Sequence, residues 1–146
     1  MSLSADLKEF IELLNSRGVE YVIVGAHCLA FHGRPRYTGD LDILVRPSQE
    51  NAEKIIAVIS EFGFPESGLQ AADFIESDQI IQLGRVPGRI DLLTGITGVA
   101  TSEAFATKVP AELSGVPVFI LTKELLIQNK RAVGRPQDLA DLDALS

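Results

Sequence analysis

Six residues, Asp40-Leu41-Asp42-Ile43-Leu44-Val45, constrain this chain more than any others. Their alternation has the period of a β-strand. Alternate residues of a strand share a face. Asp40 and Asp42 therefore point the same way, roughly 6–7 Å apart at the backbone, while Leu41, Ile43 and Val45 point into a core. Whatever fold forms must bury one face of this strand and keep the other polar. Two carboxylates side by side repel each other, which raises a pKa or calls for a cation. Mg²⁺ suits such hard oxygen ligands. The plainer alternative is a pair of solvated aspartates at the strand's start.

The surrounding pattern supplies the rest of a fold. Leu7, Phe10, Ile11 and Leu14 form one apolar stripe, which predicts a helix over residues 4–16. Tyr21 to Val24 reads as a buried strand that ends at Gly25, followed by a short helix from Ala26 to Phe31. Ser48 caps a helix over 49–62, with Gly63 as its stop. Ile80 to Leu83 and Arg89 to Leu93 read as two strands joined by a turn. A short helix starts at Thr101 or Ser102, and Val116 to Leu121 reads as the last strand. Thr122 caps a helix to Val133, and Pro136 opens a final one to Leu145. Residues 64–78 carry no clear pattern. Strands and helices are mixed, with one antiparallel hairpin, which predicts an α/β or α+β fold: a mixed β-sheet flanked by helices, in one domain spanning 1–146.

Composition narrows the classes. Hydrophobic residues make up 46% of the 146, enough for a core without staples. The single cysteine, Cys28, excludes an internal disulfide and fits a reducing cytosol. No apolar run approaches the ~20 residues of a membrane span, and Met1 leads into a polar start rather than a secretory leader. A cytoplasmic protein is expected. The net charge of −7 argues against a tight, non-specific grip on nucleic acid. Cations gather locally, at Arg34 and Arg36 and again at Lys123, Lys130, Arg131 and Arg135. No His/Cys cluster suggests zinc.

Two further features carry chemistry. Asp91 lies between Ile90 and Leu92 in an otherwise apolar strand, where a lone carboxylate costs stability unless it is paired or metal-bound. A salt bridge to Arg89 or Arg85 would satisfy it equally well. Gly25-Ala26 stands where a strand meets a helix, a place where phosphate oxygens can approach backbone N–H groups.

Gly25-Ala26, a spacer, Asp40-Leu41-Asp42 and a later strand bearing Asp91 together resemble the DNA polymerase beta-like nucleotidyltransferase superfamily. The stretch from Gly33 to Asp42 and the segment from Lys130 to Leu142 resemble a small prokaryotic branch related to abortive-infection and toxin-type nucleotidyltransferases, some of them in toxin-antitoxin systems. The resemblance implies that Asp40 and Asp42 bridge two Mg²⁺ ions. Asp91 would bind the ion that activates an acceptor hydroxyl. It implies a nucleoside triphosphate such as ATP as donor, with Gly25, Ala26, Arg36, Thr38 and Lys130 as its neighbours. The acceptor could be an RNA end, a protein or a small molecule, and a partner protein or a second copy could complete a shallow acceptor site. Ala26 stands where the superfamily often has Ser or Gly, so it offers no hydroxyl to a phosphate. That departure keeps open a second reading, a non-catalytic nucleotidyltransferase-like module that binds a nucleotide or a protein. For Lys130, the alternative is an aliphatic stem laid over the core.

Overall fold

A computed structural model describes residues 3–33, 39–64, 68–85 and 88–145. Helix α1 (Ala5–Ser16) starts where the Ser4 hydroxyl accepts the Leu7 N–H, and buries Leu7, Phe10, Ile11 and Leu14, the predicted stripe. Strand β1 (Tyr21–Val24) is buried throughout and runs directly into α2 (Gly25–Phe31). Strand β2 (Asp40–Val45) follows, then α3 (Gln49–Phe62). Ser48 caps α3 through the Asn51 N–H, and Gly63 ends it in the left-handed conformation at φ 89°.

Residues 71–74 form a 3-10 turn, a regular element within the stretch that carries no sequence pattern. Strands β3 (Ile80–Leu83) and β4 (Arg89–Leu93) match the predicted pair. Helix α4 (Thr101–Thr107) precedes β5 (Val109–Leu113) and β6 (Val116–Ile120). The chain closes with α5 (Lys123–Val133), capped by Thr122, and α6 (Pro136–Leu145). β5 was not expected. Pro110 hides it, yet proline is tolerated where a strand lies at a sheet edge, as β5 does. The β5–β6 hairpin turns at Ser114 (φ 50°) and Gly115 (φ 82°), the two positive values of a type I′ turn.

The six strands form one mixed sheet in the order β3-β4-β2-β1-β6-β5. β2 lies between antiparallel β1 and parallel β4. This central position explains the burial of Leu41, Ile43, Leu44 and Val45, whose exposure is zero. The C-terminal end of β2 is fixed to α3 by Asn51, which accepts the Glu20 N–H and donates to the Glu20 and Arg46 carbonyls. At the other edge, Thr94 accepts the Gln79 N–H and donates to the Glu76 carbonyl, tying the approach to β3 against the end of β4.

Candidate active site

The register of β2 and β4 pairs Asp42 with Asp91 and Asp40 with Arg89. Paired residues on neighbouring strands share a face, so the carboxylates predicted from two separate sequence segments meet on one side of the sheet. Asp40, Asp42 and Asp91 each present an oxygen, and the three oxygens lie within 4.8 Å of one another. Gln82 of β3 pairs with Asp91 and extends the row outward. On the other flank, Val24 pairs with Asp42, and Gly25 comes next. Gly25 has φ 68°, and a Cβ built on it would lie 2.8 Å from the Asp42 carboxyl carbon. The glycine is required because the Asp42 side chain packs directly on its backbone.

Charge is concentrated here. Burial, helped by the charges of Asp40 and Asp91 and a hydrogen bond with Asp91, pushes the Asp42 carboxyl up to about 7, against the opposing pull of Arg89. Asp91 is only 6% exposed. Arg89 forks onto both of its oxygens, with Nε at 2.9 Å and Nη2 at 3.1 Å, while Nη2 also reaches Asp40 at 2.9 Å. The salt bridge weighed from the sequence therefore exists alongside the carboxylate cluster rather than in place of it. An all-oxygen set this tight suits a hard divalent ion, whose charge would offset the repulsion that raises the Asp42 carboxyl.

A cleft of about 550 Å³ opens over this row. Gly25, Asp40, Asp42 and Asp91 border it, as do Ile80, Gln82 and Leu93 on the outer strands and Lys130, Val133 and Arg135 at the α5–α6 junction. A larger hollow of about 660 Å³ lies between α1 and α3, but its ionic side chains Arg17, Glu61, Lys54 and Glu50 pair with one another across an open surface. Of the two hollows, only the cleft over β2 and β4 has the three carboxylates converging on it.

The predicted nucleotide contacts divide. Gly25 borders the cleft, whereas Ala26 is not among the residues that line it. Lys130 faces inward, as its helix phase predicts, and is 6% exposed. Its ammonium sits 3.3 Å from Asp138 and 3.0 Å from Asp141. Asp138 also accepts from the Arg135 backbone N–H and, at 2.7 Å, from Nε of its side chain. Hydrogen bonding from Arg135, with lesser help from Lys130, holds the Asp138 carboxyl at about 2. Arg36 and Thr38 lie outside the described residues, as does Arg34. Cys28 is fully buried, and burial pushes its thiol to about 12, so it is a core residue. Gln82, Ile80 and Asn129 line the cleft although the sequence did not single them out. For Gln82 the signal was present, since it alternates with the more buried Ile81 and Leu83 on a strand paired to the one bearing Asp91.

The mixed sheet with its flanking helices has the nucleotidyltransferase fold. Three solved structures share it. The lincosamide antibiotic adenylyltransferase LnuA, bound to lincomycin, superposes with a TM-score of 0.66 at 15% identity, covering 99% of this chain and 96% of its own. A Thermotoga maritima protein assigned as a nucleotidyltransferase gives 0.63 at 20% identity, over 94% of this chain and 88% of its own. ANT(2")-Ia in complex with adenylyl-2"-tobramycin gives 0.59 at 14%, over 95% and 84%. No protein-family model and no curated protein sequence matches the chain. At such identities the likeness is one of fold. No helix among the described residues is long and apolar enough to cross a membrane.

Proposed function

We propose that this protein is a Mg²⁺-dependent nucleotidyltransferase that moves a nucleoside monophosphate from a triphosphate to the hydroxyl of a small molecule. The observation that carries the reading is the convergence of Asp40, Asp42 and Asp91 within 4.8 Å at the floor of a cleft. Two bound Mg²⁺ ions would neutralise the phosphates and polarise the acceptor hydroxyl. Asp40 and Asp42 lie on the Gly25 flank, where the donor phosphates approach. Asp91 faces the β3 flank and orients the acceptor. The acceptor oxygen bonds to the α-phosphorus as the bond from that phosphorus to the β-phosphate's bridging oxygen breaks. Pyrophosphate leaves, and the hydroxyl proton passes to water.

A small acceptor fits better than RNA. The cleft volume lies in the usual small-ligand range. Among the described residues that line it, Asp40, Asp42, Asp78, Asp91 and Asp138 outnumber Lys130 and Arg135, an unfavourable balance for a polyanion. Two of the structural neighbours are bound to antibiotics or their adenylylated products, which supports the same class. The motifs from Gly33 to Asp42 and Lys130 to Leu142 support a place in the toxin-type branch, and the single cysteine supports a cytoplasmic one.

The test is label transfer from each α-labelled NTP, with Mg²⁺, to a panel of hydroxylated small molecules, tRNA and total protein. Transfer to a small molecule, lost in Asp42→Asn and Asp91→Asn, is the expected result. A second reading, a binding module without catalysis, is favoured by Ala26 and by the guanidinium already seated on Asp91. Mg²⁺-dependent binding of a non-hydrolysable NTP with no transfer to any acceptor would establish that reading instead.

A further inference from the structure

An acidic cleft that takes a triphosphate needs a cation to spare. Among the described residues Lys130 and Arg135 line it, Arg89 reaches it through Asp40 and Asp91, and all three are engaged. Lys130 is held by Asp138 and Asp141, and Arg135 by Asp138. Arg89 is held by Asp40 and Asp91. Only the last pair of partners belongs to the metal-ligating trio. A divalent ion bound by Asp91 must take a carboxylate oxygen that already accepts from Arg89, and it brings like charge beside the guanidinium. Nothing in metal loading loosens Lys130, whose side chain is 8% exposed and whose carboxylate partners stand apart from the trio. The Arg89 side chain is 28% exposed and can turn outward.

We infer that Arg89 is an exchangeable counter-cation, clamping Asp40 and Asp91 in the empty site and passing to the triphosphate when metal and nucleotide enter together. The inference rests on the nucleotidyltransferase reading and assigns that site a further nucleotide-binding residue and an order of loading. A guanidinium fork matches phosphate oxygens as well as it matches a carboxylate. Free metal must compete with Arg89, whereas a metal–triphosphate complex supplies the anion that receives it. Metal and nucleotide therefore bind with positive coupling, of the order of 5–150-fold in the usual range.

The experiment measures Mn²⁺ affinity by electron paramagnetic resonance, with and without a non-hydrolysable ATP analogue, for wild type, Arg89→Gln and Arg89→Lys. Wild type should bind free Mn²⁺ weakly and more tightly with the analogue. Arg89→Gln should bind free Mn²⁺ about tenfold tighter, bind the analogue more weakly, and lose most of the coupling. Arg89→Lys keeps the charge but cannot engage both Asp91 oxygens and Asp40 together. It should shift the same way by a smaller factor, and it carries the test if the glutamine variant fails to fold. Free-Mn²⁺ affinity unchanged or weakened in both variants would overturn the inference and make Arg89 a fixed orienting neighbour of the ligands. Tighter Mn²⁺ with unaltered analogue binding would overturn the transfer to phosphate. If wild type binds no Mn²⁺ even with the analogue, the metal-dependent reading itself fails, an outcome separate from the other two.

Discussion

Asp42 and Asp91 are register partners on parallel strands, hydrogen-bonded to each other, with the Asp42 carboxyl raised to about 7. Burial and the neighbouring carboxylates favour the protonated form of Asp42, which a metal ion would oppose. Its effect on stability has a definite sign. An unfolded aspartate loses its proton near 3.8, while the folded one keeps it to about 7. Between those values the native state binds the extra proton, so the metal-free protein loses stability as pH rises through that window.

The metal-free protein should accordingly melt higher at pH 5 than at pH 8 in EDTA. Asp42→Asn should flatten that difference, since an amide does not titrate, and should melt at or above wild type at pH 8. It should also lose the Mg²⁺-induced rise in melting temperature. Thermal melts of both proteins at the two pH values provide the check. A large loss of stability for Asp42→Asn in EDTA would instead make Asp42 a structural partner.

Gly25 gives a second prediction. Gly25→Ala places a methyl against the Asp42 carboxyl group and forces an L-residue to φ 68°. The backbone conformation alone costs roughly 1–2 kcal/mol. The larger consequence is displacement of Asp42, and with it weaker Mn²⁺ binding. Urea unfolding and a Mn²⁺ titration measure the two effects. Unchanged Mn²⁺ affinity would show that Asp42 adjusts without leaving the ligand set.

The sequence revealed the carboxylates because strand alternation is local. Leu41, Ile43 and Val45 disclose the direction of Asp40 and Asp42 without any knowledge of neighbours. Helix limits were legible for the same reason, since Ser48, Gly63, Thr122 and Pro136 act on their own turns. What stayed hidden depends on residues far apart in the chain. The pairing of β2 with β4 spans about fifty residues, so the meeting of Asp42 with Asp91 was an expectation that only tertiary structure could meet. β5 was missed because Pro110 argues against a strand unless the strand is known to lie at an edge. Lys130 lies four residues after Leu126, so helix phase turns it inward, but its partners Asp138 and Asp141 come from another helix. Nothing local to α6 discloses that Asp138 and Asp141 meet Lys130.

That link changes what a Lys130 variant should do. From helix propensity alone, Lys130→Ala would leave the fold intact. The buried ammonium between two carboxylates predicts otherwise, since removing one partner of a buried ion pair typically costs 3–5 kcal/mol, roughly. Asp138 adds a pH signature. Its carboxyl, held at about 2 by Arg135 and then Lys130, gives stability that is complete above the unfolded value near 3.8 and is lost as pH falls through 2. Lys130→Ala should be strongly destabilised near neutral pH, and Lys130→Met with Asp138→Asn and Asp141→Asn should recover part of the loss. Denaturant unfolding of the single and triple variants decides it. A stable Lys130→Ala with weakened nucleotide affinity would return Lys130 to the triphosphate.

The outer half of the cleft predicts how the acceptor is held. Gln82 stands in line with Asp91 and Asp42, one strand further out, and Ile80 on the same strand is 63% exposed although it faces the cleft. An exposed isoleucine two positions from a glutamine offers an apolar contact and a hydrogen bond on the side of Asp91 away from Gly25. Bound substrate would cover both. If the donor lies on the Gly25 flank, Gln82→Ala and Ile80→Ser should raise the acceptor KM by about 3- to 10-fold each, the worth of one neutral hydrogen bond or a partly buried aliphatic side chain. NTP affinity and Mn²⁺ binding should stay unchanged, because neither residue reaches the metal-ligating oxygens. Steady-state kinetics with the acceptor varied at saturating NTP separates the cases. A rise in NTP dissociation constant with unchanged acceptor KM would place the nucleotide, not the acceptor, over β3, and would reverse the assignment of the two flanks.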